Sequence, residues 1–114
     1  MKRLLVLLPL LAILVLGTAC SEEDPSVRVR NDLDVKVNVQ LKPDAGSTIN
    51  INDVEGGTAT ALSNIQEGWW TATASVQSSN AEPESRFEAK NDVNYTVVIR
   101  NTAPPTMEIQ SEDK

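Results

Sequence analysis

From Val27 to Leu41 the odd positions read Val27, Val29, Asn31, Leu33, Val35, Val37, Val39 and Leu41, and the even positions read Arg28, Arg30, Asp32, Asp34, Lys36, Asn38 and Gln40. Seven of the eight odd positions are apolar and none of the even ones is. A period of two means β-structure with one buried and one wet face, whereas a helix would scatter these residues around its circumference. A single strand of this length would run roughly 50 Å at about 3.3 Å per residue, beyond the usual strand, so the chain bends at Asn31-Asp32, where the apolar series lapses. Parity restricts the bend. A two-residue hairpin loop would set Val29 against Asp34, while a three-residue loop sets Val29 opposite Val35 and Arg30 opposite Asp34. The expectation is an odd-length loop or a crossover into the facing sheet.

The same punctuation returns later: Arg30-Asn31-Asp32-Leu33-Asp34-Val35 is echoed by Lys90-Asn91-Asp92-Val93-Asn94-Tyr95. Asn and Asp suit such places because they tolerate left-handed backbone and cap it with their own side chains. Parity here predicts three loop residues, with Ala89 opposite Tyr95 and Phe87 opposite Val97; six positions do not distinguish an internal repeat from two independent turns, and the echo is read as independent turns. Lys42-Pro43-Asp44-Ala45-Gly46, Glu55-Gly56-Gly57 and the polar run Ser78 to Pro83 mark further turns. Between them lie strands at about 47–52, 58–62, 69–77, 85–90, 94–100 and 106–110, the last around Met107 and Ile109. With the two from 27–41 this makes eight short strands and no helix-length apolar period, the pattern of an all-β, small antiparallel β-sandwich over residues 26–114.

Upstream the pattern changes. After Met1-Lys2-Arg3, thirteen residues from Leu4 to Leu16 carry no polar side chain, which fits the apolar core of a helical, cleaved signal peptide over residues 1–19 and is short for a membrane span. Leu16-Gly17-Thr18-Ala19-Cys20 resembles the lipobox of bacterial lipoproteins, with Gly17 where Leu is commonest. The resemblance implies cleavage before Cys20 and attachment of diacylglycerol to its sulfur, with acylation of the new amino group. Several acyl chains bury many CH₂ groups at about 0.8 kcal/mol each, enough for a lasting anchor. Residues 20–25 then form the lipidated cysteine and an acidic tether. Ser21-Glu22-Glu23-Asp24-Pro25-Ser26 reads as polar and acidic with no apolar residue to bury, so the tether is expected to be extended and mobile. Its acidic run also resembles the export tag that sends lipoproteins of the Bacteroidota to the outer face of the outer membrane. In a proteobacterial host, the absence of Asp directly after the cysteine would imply outer-membrane sorting instead. The expected location is the cell envelope.

Composition narrows the chemistry. The 114 residues include 10 Lys+Arg, 16 Asp+Glu, no His and one Cys. No Ser-His-Asp or Cys-His pair, imidazole metal ligand, internal disulfide or thiolate zinc site can be built from these. Loss of Lys2 and Arg3 with the signal peptide leaves 8 basic and 16 acidic residues, a net −8, which argues against nucleic acid as a partner.

Leu62-Ser63-Asn64-Ile65-Gln66-Glu67-Gly68-Trp69-Trp70-Thr71-Ala72-Thr73 resembles a segment common in immunoglobulin-like and transthyretin-like extracellular sandwiches, and Phe87 through Ile99 resembles their last hairpin. Tyr95, opening its strand, resembles the tyrosine corner, whose hydroxyl bonds backbone upstream. With Val27 to Leu41, the pattern is similar to a small domain of unassigned function in bacterial envelope lipoproteins. The resemblance carries over no functional residue.

Adjacent on a strand, Trp69 and Trp70 point to opposite faces. Trp70 shares its face with Ala72, Ala74 and Val76, which leave room for an indole in the core. Trp69 lies with Thr71, Thr73, Ser75 and Gln77, where it can cover a neighbouring strand, or stack on a sugar ring as a ligand contact. The acidic groupings Asp32/Asp34, Asn50/Asn52/Asp53/Glu55 and Glu82/Glu84 do not follow the calcium-loop order, and so small a chain is not expected to form the deep cleft of a glycosidase. No metal, cofactor or catalytic residue is expected. The sequence reads as a non-enzymatic structural or binding module, held to the membrane through the lipid on Cys20. Two alternatives are a carbohydrate- or matrix-binding surface lipoprotein using Trp69, and an accessory subunit that docks on an envelope protein by strand addition.

Overall fold

The stretch with the strongest alternation becomes two strands in two different sheets. The computed structural model describes residues 22–114, so the expected signal peptide, Cys20 and Ser21 lie outside the described residues. Its strands are β1 (Ser26–Asn31), β2 (Val37–Pro43), β3 (Ile49–Val54), β4 (Thr58–Ala59), β5 (Ser63–Asn64), β6 (Gly68–Val76), β7 (Glu84–Ala89), β8 (Val93–Arg100) and β9 (Thr106–Asp113). One sheet has the order β4-β1-β8-β9, with β5 also on β1, and the other has the order β3-β2-β6-β7. The two pack face to face as a β-sandwich. All pairs are antiparallel except β1 with β8, which run parallel with Val29 beside Val97.

Alternation explains the core. Val27 and Val29 of β1, Val37, Val39 and Leu41 of β2, Trp70, Ala72 and Ala74 of β6, and Tyr95, Val97 and Ile99 of β8 are all buried in one cluster. Burying a large apolar side chain contributes about 1.5–3 kcal/mol, so these inward rows hold the two sheets together. The small residues Ala72 and Ala74 make room for Trp70, which pairs in register with Pro43 on one side and Phe87 on the other.

Between Asn31 and Val37 the chain crosses from one sheet to the other, which excludes the hairpin with Val29 opposite Val35 and agrees with the crossover. The second expected hairpin is also a crossover. β7 pairs with β6, placing Phe87 beside Trp70 and Ala89 beside Gly68, while β8 enters the other sheet with Tyr95 between Val27 and Ser111. Tyr95 still forms the expected corner: its hydroxyl donates to the Glu88 carbonyl at 3.0 Å and accepts from the Lys90 amide at 2.9 Å, tying the start of β8 to the end of β7. The two echoed segments occupy opposite ends of the sandwich, since Asn31 lies beside Ile99 and Asn94 beside Ser26 on parallel strands.

The strand expected at 58–62 is divided. β4 and β5 each contribute two residues against β1, and between them the Thr60 hydroxyl accepts from the Val29 amide at 3.0 Å while the Thr60 amide donates to the Val29 carbonyl at 2.9 Å. A side chain replaces one rung of the ladder, the backbone turns away, and Leu62 is left 42% exposed.

The acidic segment before β1 also differs from the expected free spacer. Pro25 is fully buried, and Glu23 exchanges two hydrogen bonds with Asp92, amide to carboxylate at 3.0 Å and carbonyl from amide at 2.9 Å. Backbone and polar groups, together with the buried Pro25 ring, dock this segment on the domain.

Candidate functional site

Trp69 stands on the outer face of the β3-β2-β6-β7 sheet and is 45% exposed, while Trp70, one residue on, is 2% exposed. The strand pleat alone produces this division. The Arg86 guanidinium lies over the Trp69 ring, 4.8 Å from its centroid. Arg86 in turn pairs with Asp44 at 2.6 Å, and the Asp44 amide donates to the Trp69 carbonyl at 3.0 Å. Arg86 of β7 therefore covers the indole and is itself held by Asp44 of the β2–β3 turn, with part of the ring still open to solvent. Cation–π contact at an exposed position is worth about 0.5–1 kcal/mol, a modest but orienting contribution.

Farther along the same face lies a shallow groove of about 310 Å³. Asn38 and Gln40 of β2, Asn50 and Asn52 of β3, and Thr73 and Ser75 of β6 line it, with Glu82 at its rim. The register places Asn38 beside Ser75 and Gln40 beside Thr73 on one side, and Gln40 beside Asn50 on the other. Four amides and two hydroxyls thus converge on one surface, each able to donate and to accept. From Trp69 the outward positions of β6 run through Thr71 and Thr73 to Ser75, a row roughly 20 Å long at the usual strand rise. The face offers an aromatic plate at one end and neutral hydrogen-bonding groups at the other.

The acidic groupings do not converge on a common centre. Asp32 pairs with Arg30 at 3.1 Å and Glu55 with Lys36 at 3.5 Å, the Glu84 carboxylate accepts from the Thr73 hydroxyl at 3.5 Å, and Asn50 and Asn52 face the groove. Among the described residues no group of three or more acidic side chains is placed to hold a metal ion. Cys20 lies outside the described residues, so its chemistry is not part of this geometry.

Sequence reasoning found Trp69 and its row of hydroxyls but missed Arg86 and Asp44 as its supports and the amides as its neighbours. A signal was present in the even positions of Val27–Leu41, which turn from charged to amide at Asn38 and Gln40. Only the sheet order brings them beside β3 and β6. No protein-family model matches the chain, and no curated protein is similar to it at a significant level.

Proposed function

We propose that this protein is a non-enzymatic binding module of the bacterial cell envelope, anchored by lipid on Cys20, whose ligand surface is the outer face of the β3-β2-β6-β7 sheet. The observation that carries the binding role is the exposed Trp69, braced by Arg86 and followed along its strand by an amide- and hydroxyl-lined groove. A shallow, open groove does not exclude water, which suits reversible binding better than chemistry. The lipobox-like run ending in Ala19-Cys20 supports the anchor.

Within that reading the ligand class favoured by the face is carbohydrate. A sugar ring presents an apolar C–H face that stacks on an indole and a rim of hydroxyls that both donate and accept, which amides and hydroxyls match. Affinity electrophoresis of the purified protein in gels containing envelope and extracellular polysaccharides tests this. Retardation by at least one glycan that is lost in Trp69→Ala, and weakened in Asn38→Ala, is expected. Unchanged mobility of the native protein in all of them, together with a stoichiometric co-purifying protein, would assign the chain to the accessory-subunit role. For the anchor, Cys20→Ala should abolish fatty-acid labelling and release the protein from the membrane fraction. Retention at the original gel mobility with undiminished label would overturn it.

A further inference from the structure

The segment that follows the proposed lipid attachment is bound to one end of the sandwich by contacts from three separate parts of the chain. The Asn91 amide donates to the Glu22 carboxylate at 3.0 Å, and Asp92 exchanges two backbone-directed bonds with Glu23. The Lys114 ammonium donates to the Asp24 carbonyl at 2.7 Å and the Ser26 hydroxyl at 3.2 Å and pairs with Glu23 at 3.4 Å. Lys114 itself is fixed through its amide, which donates to the Asp92 carbonyl at 2.9 Å, and its side chain is only 19% exposed. The Ile65 amide closes the set on the Pro25 carbonyl at 2.9 Å.

This changes the reach of the tether. Six free residues would let the domain float roughly 20 Å from its anchor, whereas docking from Glu22 onward leaves two residues, about 7 Å of extended chain. The docked end therefore cannot move farther from the lipid-bearing sulfur than these two residues reach. We propose that the end of the sandwich formed by Glu22–Pro25, the Asn91-Asp92 turn and Lys114 rests against a bilayer surface of neutral headgroups, with the opposite end directed outward. The proposal rests on the acylation of Cys20. Acyl chains hold this end in place rather than charge attraction, since Glu22, Glu23, Asp24, Asp92, Glu112 and Asp113 make it acidic.

The strand directions then assign the remaining surfaces. β1 and β8 run parallel away from this end, so the Asp32–Lys36 crossover and the Gly56-Gly57 turn stand at the outward end, joined there by the Ser78–Pro83 loop. The groove around Asn38, Asn52 and Ser75 lies in the outward half, and Trp69, at the start of β6, lies in the half nearer the membrane.

The test uses the full chain produced in an acylating bacterial host and reconstituted in phosphatidylcholine vesicles that carry a headgroup-located quencher. Acylation consumes the sulfur of Cys20, so a single fluorophore can be placed by Ser47→Cys, which lines the same open cleft as Asp24 and Asn91 at the docked end, or by Ser79→Cys at the other. Quenching several-fold stronger at position 47 than at 79 is expected, and the triple variant Asn91→Ala, Asp92→Ala, Lys114→Ala should bring position 47 down towards 79. Amide exchange at Glu23 and Asp92 in the detergent-solubilised lipoprotein checks the docking without any variant, with slow exchange expected. Equal, weak quenching at both positions in an acylated protein, or fast exchange at these two amides, would overturn the orientation. A chain whose mass shows no acyl groups would overturn the anchor reading, and the orientation with it.

Discussion

The side-chain amide of Asn31 donates to the main-chain carbonyl of Val54 at 3.0 Å, joining the end of β1 in one sheet to the end of β3 in the other. The same amide reaches the Val35 carbonyl at 2.7 Å, its oxygen accepts from the Leu33 amide at 2.9 Å, and the residue is fully buried. One polar side chain therefore satisfies three backbone groups at the point where the chain changes sheets. Asn31→Ala strands those groups and should destabilise the fold by about 2–4 kcal/mol, since each buried polar group left unpaired costs about 1–3 kcal/mol. Asn31→Asp keeps the shape but sets a carboxylate against two carbonyls, and should cost at least as much. Urea denaturation with an unchanged slope measures both, and a shift for Asn31→Ala below about 0.5 kcal/mol would contradict this account.

At the other crossover, Tyr95→Phe removes only the hydroxyl that bridges Glu88 and Lys90 while keeping the ring, whose centroid sits 5.1 Å from that of Phe87. A loss of about 1–2 kcal/mol is expected from two missing hydrogen bonds at a partly buried site. The near-ultraviolet circular dichroism attributable to packing should otherwise be retained.

The two neighbouring tryptophans should separate fully on replacement. Trp70→Ala empties the centre of the core and removes the indole's bond to the Gln66 carbonyl, 3.0 Å long, for a loss of about 3–5 kcal/mol. Trp69→Ala removes an exposed ring held by Arg86 and should cost less than about 1 kcal/mol. Comparable losses at both sites would show that Trp69 serves the fold rather than a ligand.

Gly56 and Gly57 are adjacent but constrained by different physics. A Cβ on Gly56 would lie 2.7 Å from the Leu33 carbonyl oxygen and 2.8 Å from the Asp34 Cα, both main-chain atoms of the β1–β2 crossover. Gly57 has open space around it but a φ of 76°. Gly57→Ala should cost about 1–2 kcal/mol for left-handed backbone, and Gly56→Ala about 2–3 kcal/mol, because the rigid crossover must shift. Thermal melts of the two variants rank them directly.

Residues of the candidate site were legible to different depths. Trp69 could be assigned to the wet face from its position beside Trp70, because neighbouring strand residues alternate by local geometry. Arg86 and Asp44 could not be assigned to it, since 17 residues in one direction and 25 in the other separate them from Trp69 along the chain. The groove has the same origin: Asn38, Asn52 and Ser75 meet only because β2 lies between β3 and β6. The docked tether was hidden for another reason. Apart from Pro25 its side chains are polar, and it is held by main-chain groups and by the distant Asn91, Asp92 and Lys114, none of which leaves a mark in hydropathy.

Alternation along Val27–Leu41 and Trp69–Val76 by itself determined which segments are strands and which side chains face inward, because the direction of a side chain follows from its own backbone pleat. It also marked where the first strand ends, at Asn31. Tertiary structure alone decided that β1 and β8 run side by side in parallel and that Asn31-to-Val37 and Ala89-to-Val93 are crossovers rather than hairpins. Both sheets of a sandwich turn their apolar faces to one core, so a strand that stays in its sheet and a strand that crosses bury the same residues. The choice between them rests on contacts made across the molecule, such as those of Asn31 with Val54 and Tyr95 with Glu88.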